Sequence, residues 1–269
     1  MTEQGGALGE PEILVLPDAD AVSATAGRRI AEALAGAVTA RGVAHWATTG
    51  GSTPSPIYEV LAAQPLRDAV PWPGVHVWWT DDRWAPPDGP LSNARAFLEL
   101  LQPRVPIPAA NVHPVPVGEA MAGGQEASWA ASRYAESLRG VAIPVDAAGY
   151  PVLDVVLVGI GGDGHLFSVF PGSATWDNAA WVQAVPAPTH IEPQVARVTL
   201  HPRILDACRH PIVVVHGASK AAILARIFGP RSDPRELPAL AARRRGATWI
   251  LDEGAALLLP AHIGRSGSA

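Results

Sequence analysis

The sequence predicts an α/β fold, a Rossmann-like layered sheet of mostly parallel strands flanked by helices. Three observations predict it. Short apolar runs alternate with segments of helical periodicity, the rhythm of a sheet whose strands are joined by crossover helices. Six such runs are present, enough for one sheet. The chain has 269 residues, 48% hydrophobic and 17% charged, which suffices for a sizeable core and lies within the range where one α/β unit need not divide. A single domain over residues 1–269 is therefore expected, with flexible ends at 1–10 and 261–269.

The elements follow in order. EILVL from Glu12 is the first strand. Val22, Ala26, Ile30, Leu34 and Val38 then recur every four residues, which places one apolar stripe on a helix facing the sheet. VAHWAT from Val43 and VHVWWT from Val75 are the next strands. Ser92 precedes Ala94, Phe97, Leu98 and Leu101, so a serine cap is expected to open an amphipathic helix. Prolines at 103, 106, 108, 114 and 116 forbid a regular helix and predict an extended surface connection as far as Gly118. A polar helix from about Gln125 to Arg139 follows, then the strand DVVLVG from Asp154. The proline-bearing stretch from Ala184 to Val195 reads as a loop over the site. PIVVVHG from Pro211 and TWILD from Thr248 complete the strands, and the chain frays after Pro260.

Composition excludes several function classes. A formal net charge of −5 opposes broad nucleic-acid binding, which needs a basic surface; any phosphate site must be local. No apolar run approaches the ~20 residues of a membrane span, and the N-terminal MTEQGGALGEPE has no basic stretch leading into an apolar one. Cys208 is the only cysteine and sits beside an apolar run, so it reads as a buried thiol in a reducing compartment. A cytoplasmic protein, monomeric or weakly dimeric, is expected, with neither nucleic acid nor membrane as partner.

In open α/β sheets ligands gather where strands end, and four strand ends carry chemistry. Thr48–Pro54, TTGGSTP, places Gly50 and Gly51 where the backbone can approach an anion closely and Ser52 or Thr53 where a helix can be capped. Thr80–Trp84, TDDRW, sets Asp81 to hold sugar hydroxyls and Arg83 to grip phosphate through paired hydrogen bonds. Read blandly, the two motifs are a tight turn and a solvated ion pair. Gly159–Gly172, GIGGDGHLFSVFPG, formally matches a dinucleotide motif at Gly159, Gly161 and Gly164. Pro171-Gly172 interrupts it too early for a crossover helix, so it reads instead as a glycine-shaped catalytic loop projecting Asp163 and His165. GASKAAILARIFGP sets Lys220 in the first turn of a helix, where a cation opposes the dipole unless an anion is held there. Arg197 in ARVTL is a further phosphate candidate.

Taken together, TTGGSTP, TDDRW with SNARAFLEL, GIGGDGHLFSVFPG, RVTL and GASKAAIL resemble the successive signatures of the 6-phosphogluconolactonase family, over nearly the whole chain. The chain is similar, more distantly, to glucosamine-6-phosphate deaminase, whose motif carries a catalytic Glu where this chain has Phe170. The resemblance implies a fold of the deaminase and ribose-phosphate isomerase group, no metal, no cofactor, and a small sugar-phosphate lactone as the partner. It departs from the family pattern at Asp82, Thr49 and Leu166-Phe167. The expected activity is hydrolysis of 6-phospho-D-glucono-1,5-lactone to 6-phospho-D-gluconate. His165 would be the general base, Asp163 its orienting group and Asp81 a holder of hydroxyls. Gly50, Gly51, Ser52, Thr53, Arg83, Arg197 and Lys220 would hold the substrate. A serine esterase on Ser52 lacks the second glycine of a G-x-S-x-G elbow, and a sugar-phosphate sensor would not require Asp163 with His165.

Overall fold

The computed structural model describes residues 10–230, 233–260 and 263. The expectation of flexible ends falls almost wholly outside them. Ten strands form two sheets: β1 (Glu12–Leu16), β2 (Ala44–Thr48), β3 (Val75–Trp79), β4 (Asp81–Arg83), β5 (Val112–His113), β6 (Val155–Val158), β7 (Val182–Val185), β8 (Arg197–Leu200), β9 (His210–Val215) and β10 (Thr248–Asp252). Seven run β1-β10-β9-β6-β2-β3-β5, with every pairing parallel. β4, β8 and β7 form a separate antiparallel sheet.

The six apolar runs are six of the seven parallel strands. β2 and β6 are buried at every position, the environment that permits an unbroken apolar run. The stripe on the helix Ala19–Arg41 turns as α-helical geometry demands: Val22, Ala26, Ile30 and Leu34 are fully buried, but the next buried residue is Ala37, not Val38. A strict spacing of four drifts against 3.6 residues per turn. Asp18 Oδ1 accepts the Ala21 N–H at 2.8 Å to open this helix. Gly42, at φ 77°, closes it by donating to Val38 O.

Several expectations need correction. Two strands went unassigned: Asp81–Arg83 is strand β4, and Arg197–Leu200 is strand β8, directly across from it. The segment from 184 to 195 begins inside strand β7. The proline-rich connection is not merely superficial, because it supplies β5 at the sheet edge and buries Val105, Ile107, Val115 and Val117. The helix after Ser92 starts only at Arg95; Ser92 Oγ accepts from Ala94 N–H, one step outside the first turn. Pro54 opens the helix Pro54–Ala62 without any side-chain cap from Ser52 or Thr53, and Lys220 precedes the helix Ala221–Ile227 with no cap from Ser219. Cys208 is buried, and burial pushes its thiol up to about 12, as expected for an inert thiol.

The small antiparallel sheet is fastened to the large one at the end that bears the motifs. Thr80 N–H donates to Thr48 O at 2.8 Å and Leu200 N–H to Thr80 O at 2.8 Å. Tyr134, from the helix Ala127–Gly140, exchanges two hydrogen bonds with the Trp79 main chain at 2.7 and 3.0 Å. At the opposite end of the strands, buried Asp154 accepts from His45 N–H and pairs with Arg41 and Arg209. A cavity of about 720 Å³ lies at that end, but its arginines already have carboxylate partners, Arg29 being held by Glu12.

Candidate active site

The loop after β6 folds back on itself rather than entering a helix. Ile160 bridges Leu166, and Leu166 bridges Val169. This excludes the long helix a dinucleotide motif would open. Gly161 is required by the ring that lies on it: a Cβ there would sit 2.0 Å from His165 Nδ1. His165 Nδ1 is 2.5 Å from Asp163 Oδ1, which also accepts the His165 main-chain N–H. Burial opposes ionisation of Asp163, but the hydrogen bond and charge of His165 and a bond from His190 outweigh it and hold the carboxyl well below the usual range. An ionised carboxylate can only accept, so the proton between the two groups lies on Nδ1, and Nε2 is the ring nitrogen that faces away from Asp163. His165 is partly exposed, leaving that nitrogen accessible for proton abstraction.

The antiparallel pairing brings two cations face to face. Arg83 on β4 and Arg197 on β8 are direct cross-strand partners, and like charges so placed repel unless an anion lies between them. Arg197 is 4% exposed; burial, then the charge of Arg83, both oppose its ionised state. Its guanidinium donates to the Pro193 and Val195 carbonyls at 2.8 and 3.1 Å. Arg83 donates from NH1 to Leu91 O at 2.9 Å, while its buried Nε has no partner. Beside this pair, Gly50 is packed so tightly on Asn93 that a Cβ would meet Asn93 Oδ1 at 1.8 Å, and that buried oxygen also has no partner. Gly51 is at φ 83°, Ser52 is exposed, and Thr53 Oγ1 faces Gly159.

The remaining candidates lie around the same loop. Lys220 Nζ donates to Ile160 O at 2.7 Å; burial lowers its proton affinity and nearby Asp163 partly restores it. Asp81 is not free to receive a hydroxyl. It is 4% exposed, Oδ2 accepts from Ser168 Oγ at 2.6 Å, and Oδ1 accepts from Thr80 Oγ1 at 3.2 Å. Ser168 N–H donates in turn to Thr199 Oγ1, so Asp81 fastens the loop that carries His165 to the small sheet. Asp82 Oδ1 accepts the main-chain N–H groups of both Arg83 and Asn93 at 2.8 Å. Burial, reinforced by Asp81, pushes its carboxyl up to about 7 against those two bonds. The solvated ion pair that TDDRW could have formed is absent among the described residues: neither Asp81 nor Asp82 pairs with Arg83.

Phe170 joins the two halves of the site. Its ring lies 4.8 Å from the His165 ring, and the Arg197 guanidinium lies 5.8 Å over it. Sequence reasoning missed three groups. Asn93 was hidden behind the capping role of Ser92. Ser168 reads as a loop residue. His190 lies 27 positions from the acid it touches, Asp163 Oδ2 at 2.8 Å; its only signal was its place in a loop expected over the site. Among the described residues no group of three or more His, Cys, Asp or Glu is arranged to hold a metal ion.

Residues 17–250 match the family described as glucosamine-6-phosphate isomerases/6-phosphogluconolactonase. The chain is 35% identical over 250 residues to the 6-phosphogluconolactonase of Mycobacterium tuberculosis, covering 92% of this chain and 98% of that protein. It is 34% identical over 220 residues to that of Synechocystis, covering 81% and 86%. The structure of the Trypanosoma brucei 6-phosphogluconolactonase superposes with a TM-score of 0.80 at 28% identity, over 93% of this chain and 99% of that one. A monomeric glucosamine-6-phosphate deaminase, 18% identical, superposes with a TM-score of 0.75 over 92% and 99%, a likeness of fold alone.

Proposed function

The chain belongs to the family of glucosamine-6-phosphate isomerases and 6-phosphogluconolactonases, and we propose from this that it hydrolyses 6-phospho-D-glucono-1,5-lactone to 6-phospho-D-gluconate in the oxidative pentose phosphate pathway. The observation that carries the reading is the pairing of two functions across Phe170: an oriented imidazole on one side, opposed arginines on the other. Arg83 and Arg197 grip the phosphate, with Lys220 and the Gly50-Gly51-Ser52-Thr53 turn contributing to the pocket. A non-reacting group thereby positions the lactone carbonyl. His165 Nε2 takes a proton from the attacking water, Nδ1–H remains on Asp163, and the imidazolium formed is stabilised by that carboxylate. Turn N–H groups at Gly50-Gly51 support the developing oxyanion. Asp81 serves by anchoring Ser168 and the loop that carries the base.

An isomerase or deaminase reading is disfavoured because position 170 presents an aromatic ring to His165 where proton shuttling would call for a carboxylate. The whole chain is read as one unit, since β1 and β10, from its two ends, are neighbours in one sheet. A cytoplasmic monomer or weak homodimer, acting without cofactor or metal, fits this reading. The experiment is timed hydrolysis of freshly made 6-phosphogluconolactone against its spontaneous background, with ammonia release from glucosamine 6-phosphate run in parallel. Acceleration of the first without the second is expected; ammonia release without lactone hydrolysis would reverse the assignment.

A further inference from the structure

The segment between β7 and β8, residues 186–196, is tied to the site at two points. At its far end the Pro193 and Val195 carbonyls accept from Arg197, and Ala196 O accepts from Trp84 N–H at 2.7 Å. Near its middle, His190 reaches Asp163 Oδ2 at 2.8 Å and sets its ring edge-on against Phe170, 5.8 Å between centroids. Between these ties the strap holds itself, Gln194 N–H donating to Glu192 Oε2. Residues 186–190 wall a cavity of about 460 Å³ facing Phe170–Thr175; Pro188 is buried, and His190 supplies the side-chain tie to the loop after β6.

We propose that His190 is a positioning residue: it clasps the 186–196 strap onto Asp163 and, by sharing that carboxylate with His165, sets how strongly the catalytic imidazole holds its proton. The two oxygens of Asp163 serve two rings, Oδ1 for His165 and Oδ2 for His190. Each donor draws on one negative charge, so the bond from His190 reduces what Asp163 offers to the imidazolium form of His165. Losing His190 concentrates the carboxylate on His165 and favours its protonated, inactive form. Any positive charge on His190 would act in the same direction. The other charged groups facing the pair are Lys220, from the segment after β9, and Arg197, across Phe170 from β8; both stay in place when His190 is changed. The clasp also links the base to the phosphate site, because the same strap supplies the carbonyls that fix Arg197.

As a positional claim about His165 the inference stands on the structure; as a claim about turnover it rests on the proposed lactonase reading. Two readouts separate these. NMR titration of the His165 ring in His190→Ala should move its midpoint up by about 0.5 pH unit, and His190→Gln, which keeps a donor for Asp163 Oδ2, should return most of that shift. In lactone hydrolysis the acid limb of the kcat profile should move by the same amount, with kcat on that limb, well below its midpoint, falling about threefold. His190 is half-exposed, so both variants should fold. An unmoved His165 titration in His190→Ala, or one that Gln does not restore, overturns the clasp. A shifted titration in a protein that hydrolyses no lactone would uphold the clasp and sink the functional reading.

Discussion

Two guanidinium groups set directly opposite each other on an antiparallel ladder are the least comfortable pair of residues in the molecule. Arg83 and Arg197 have no carboxylate between them, and the buried Nε of Arg83 and Oδ1 of Asn93 lack partners. An anion held between them would relieve that repulsion, which is why the proposed function puts the phosphate there. Arg83→Ala removes a charge-assisted contact worth ~1.5–3 kcal/mol, so KM should rise roughly 10- to 100-fold with kcat changed far less. An unaltered KM would remove Arg83 from the phosphate site. His165 answers to the opposite signature. His165→Asn leaves binding in place but no base, and kcat should drop about 10²–10⁴-fold at saturating lactone; wild-type turnover would eliminate the general-base role.

At the scale of elements, the loop after β6 is a reversing turn that lays the His165 imidazole on a glycine. Gly161→Ala would force a Cβ to within 2.0 Å of His165 Nδ1 and 2.7 Å of Asp163 Oδ1, so the hydrogen-bonded pair would have to leave its place. Turnover should fall at least tenfold from the displaced base, a loss of ~1.4 kcal/mol in the transition state. Steady-state kinetics of this variant showing wild-type kcat would mean the ring is not held there. The loop was legible in the sequence because glycines, Asp163 and His165 are contiguous and follow an unmistakable strand. β4 and β8 were not legible as strands. Asp81 and Asp82 are a residue type depleted in strands, and the pairing of β4 with β8 is decided by neighbours more than a hundred positions away. β5, two residues long within a proline-rich stretch, gives no periodicity to read. Consequently the opposed arginines, though each was suspected singly, could not be seen as a pair, and His190 could not be seen at all.

Across the whole molecule, the buried titratable groups set how stability responds to acid. Burial holds His45, His113 and His201 down to about 4. Each therefore favours the folded state fully above the ordinary imidazole value of about 6.5 and loses that contribution as pH falls toward 4. Asp82 works in reverse: raised to about 7, its contribution is present near pH 4 and is lost as pH climbs through 7. Three groups outweigh one, so the melting midpoint should drop by about 5 °C or more between pH 7.5 and 5. Asp82→Asn, which removes the opposing group, should be more stable than the wild type at pH 8 and show a steeper decline on acidification. Calorimetry giving a flat profile in both proteins would mean these groups are solvated. The parallel sheet, which carries His45 and His113, was readable almost entirely, since six of its seven strands are apolar runs. What the sheet brings together at its far edge was readable only as separate motifs.

The most direct test of that convergence is a crystal structure with 6-phosphogluconate bound. The phosphate should lie between Arg83 and Arg197 within reach of Lys220 or the Gly50-Gly51 turn, with His165 Nε2 turned toward the carboxylate carbon. Phosphate held elsewhere, or an imidazole facing away from that carbon, would contradict the account.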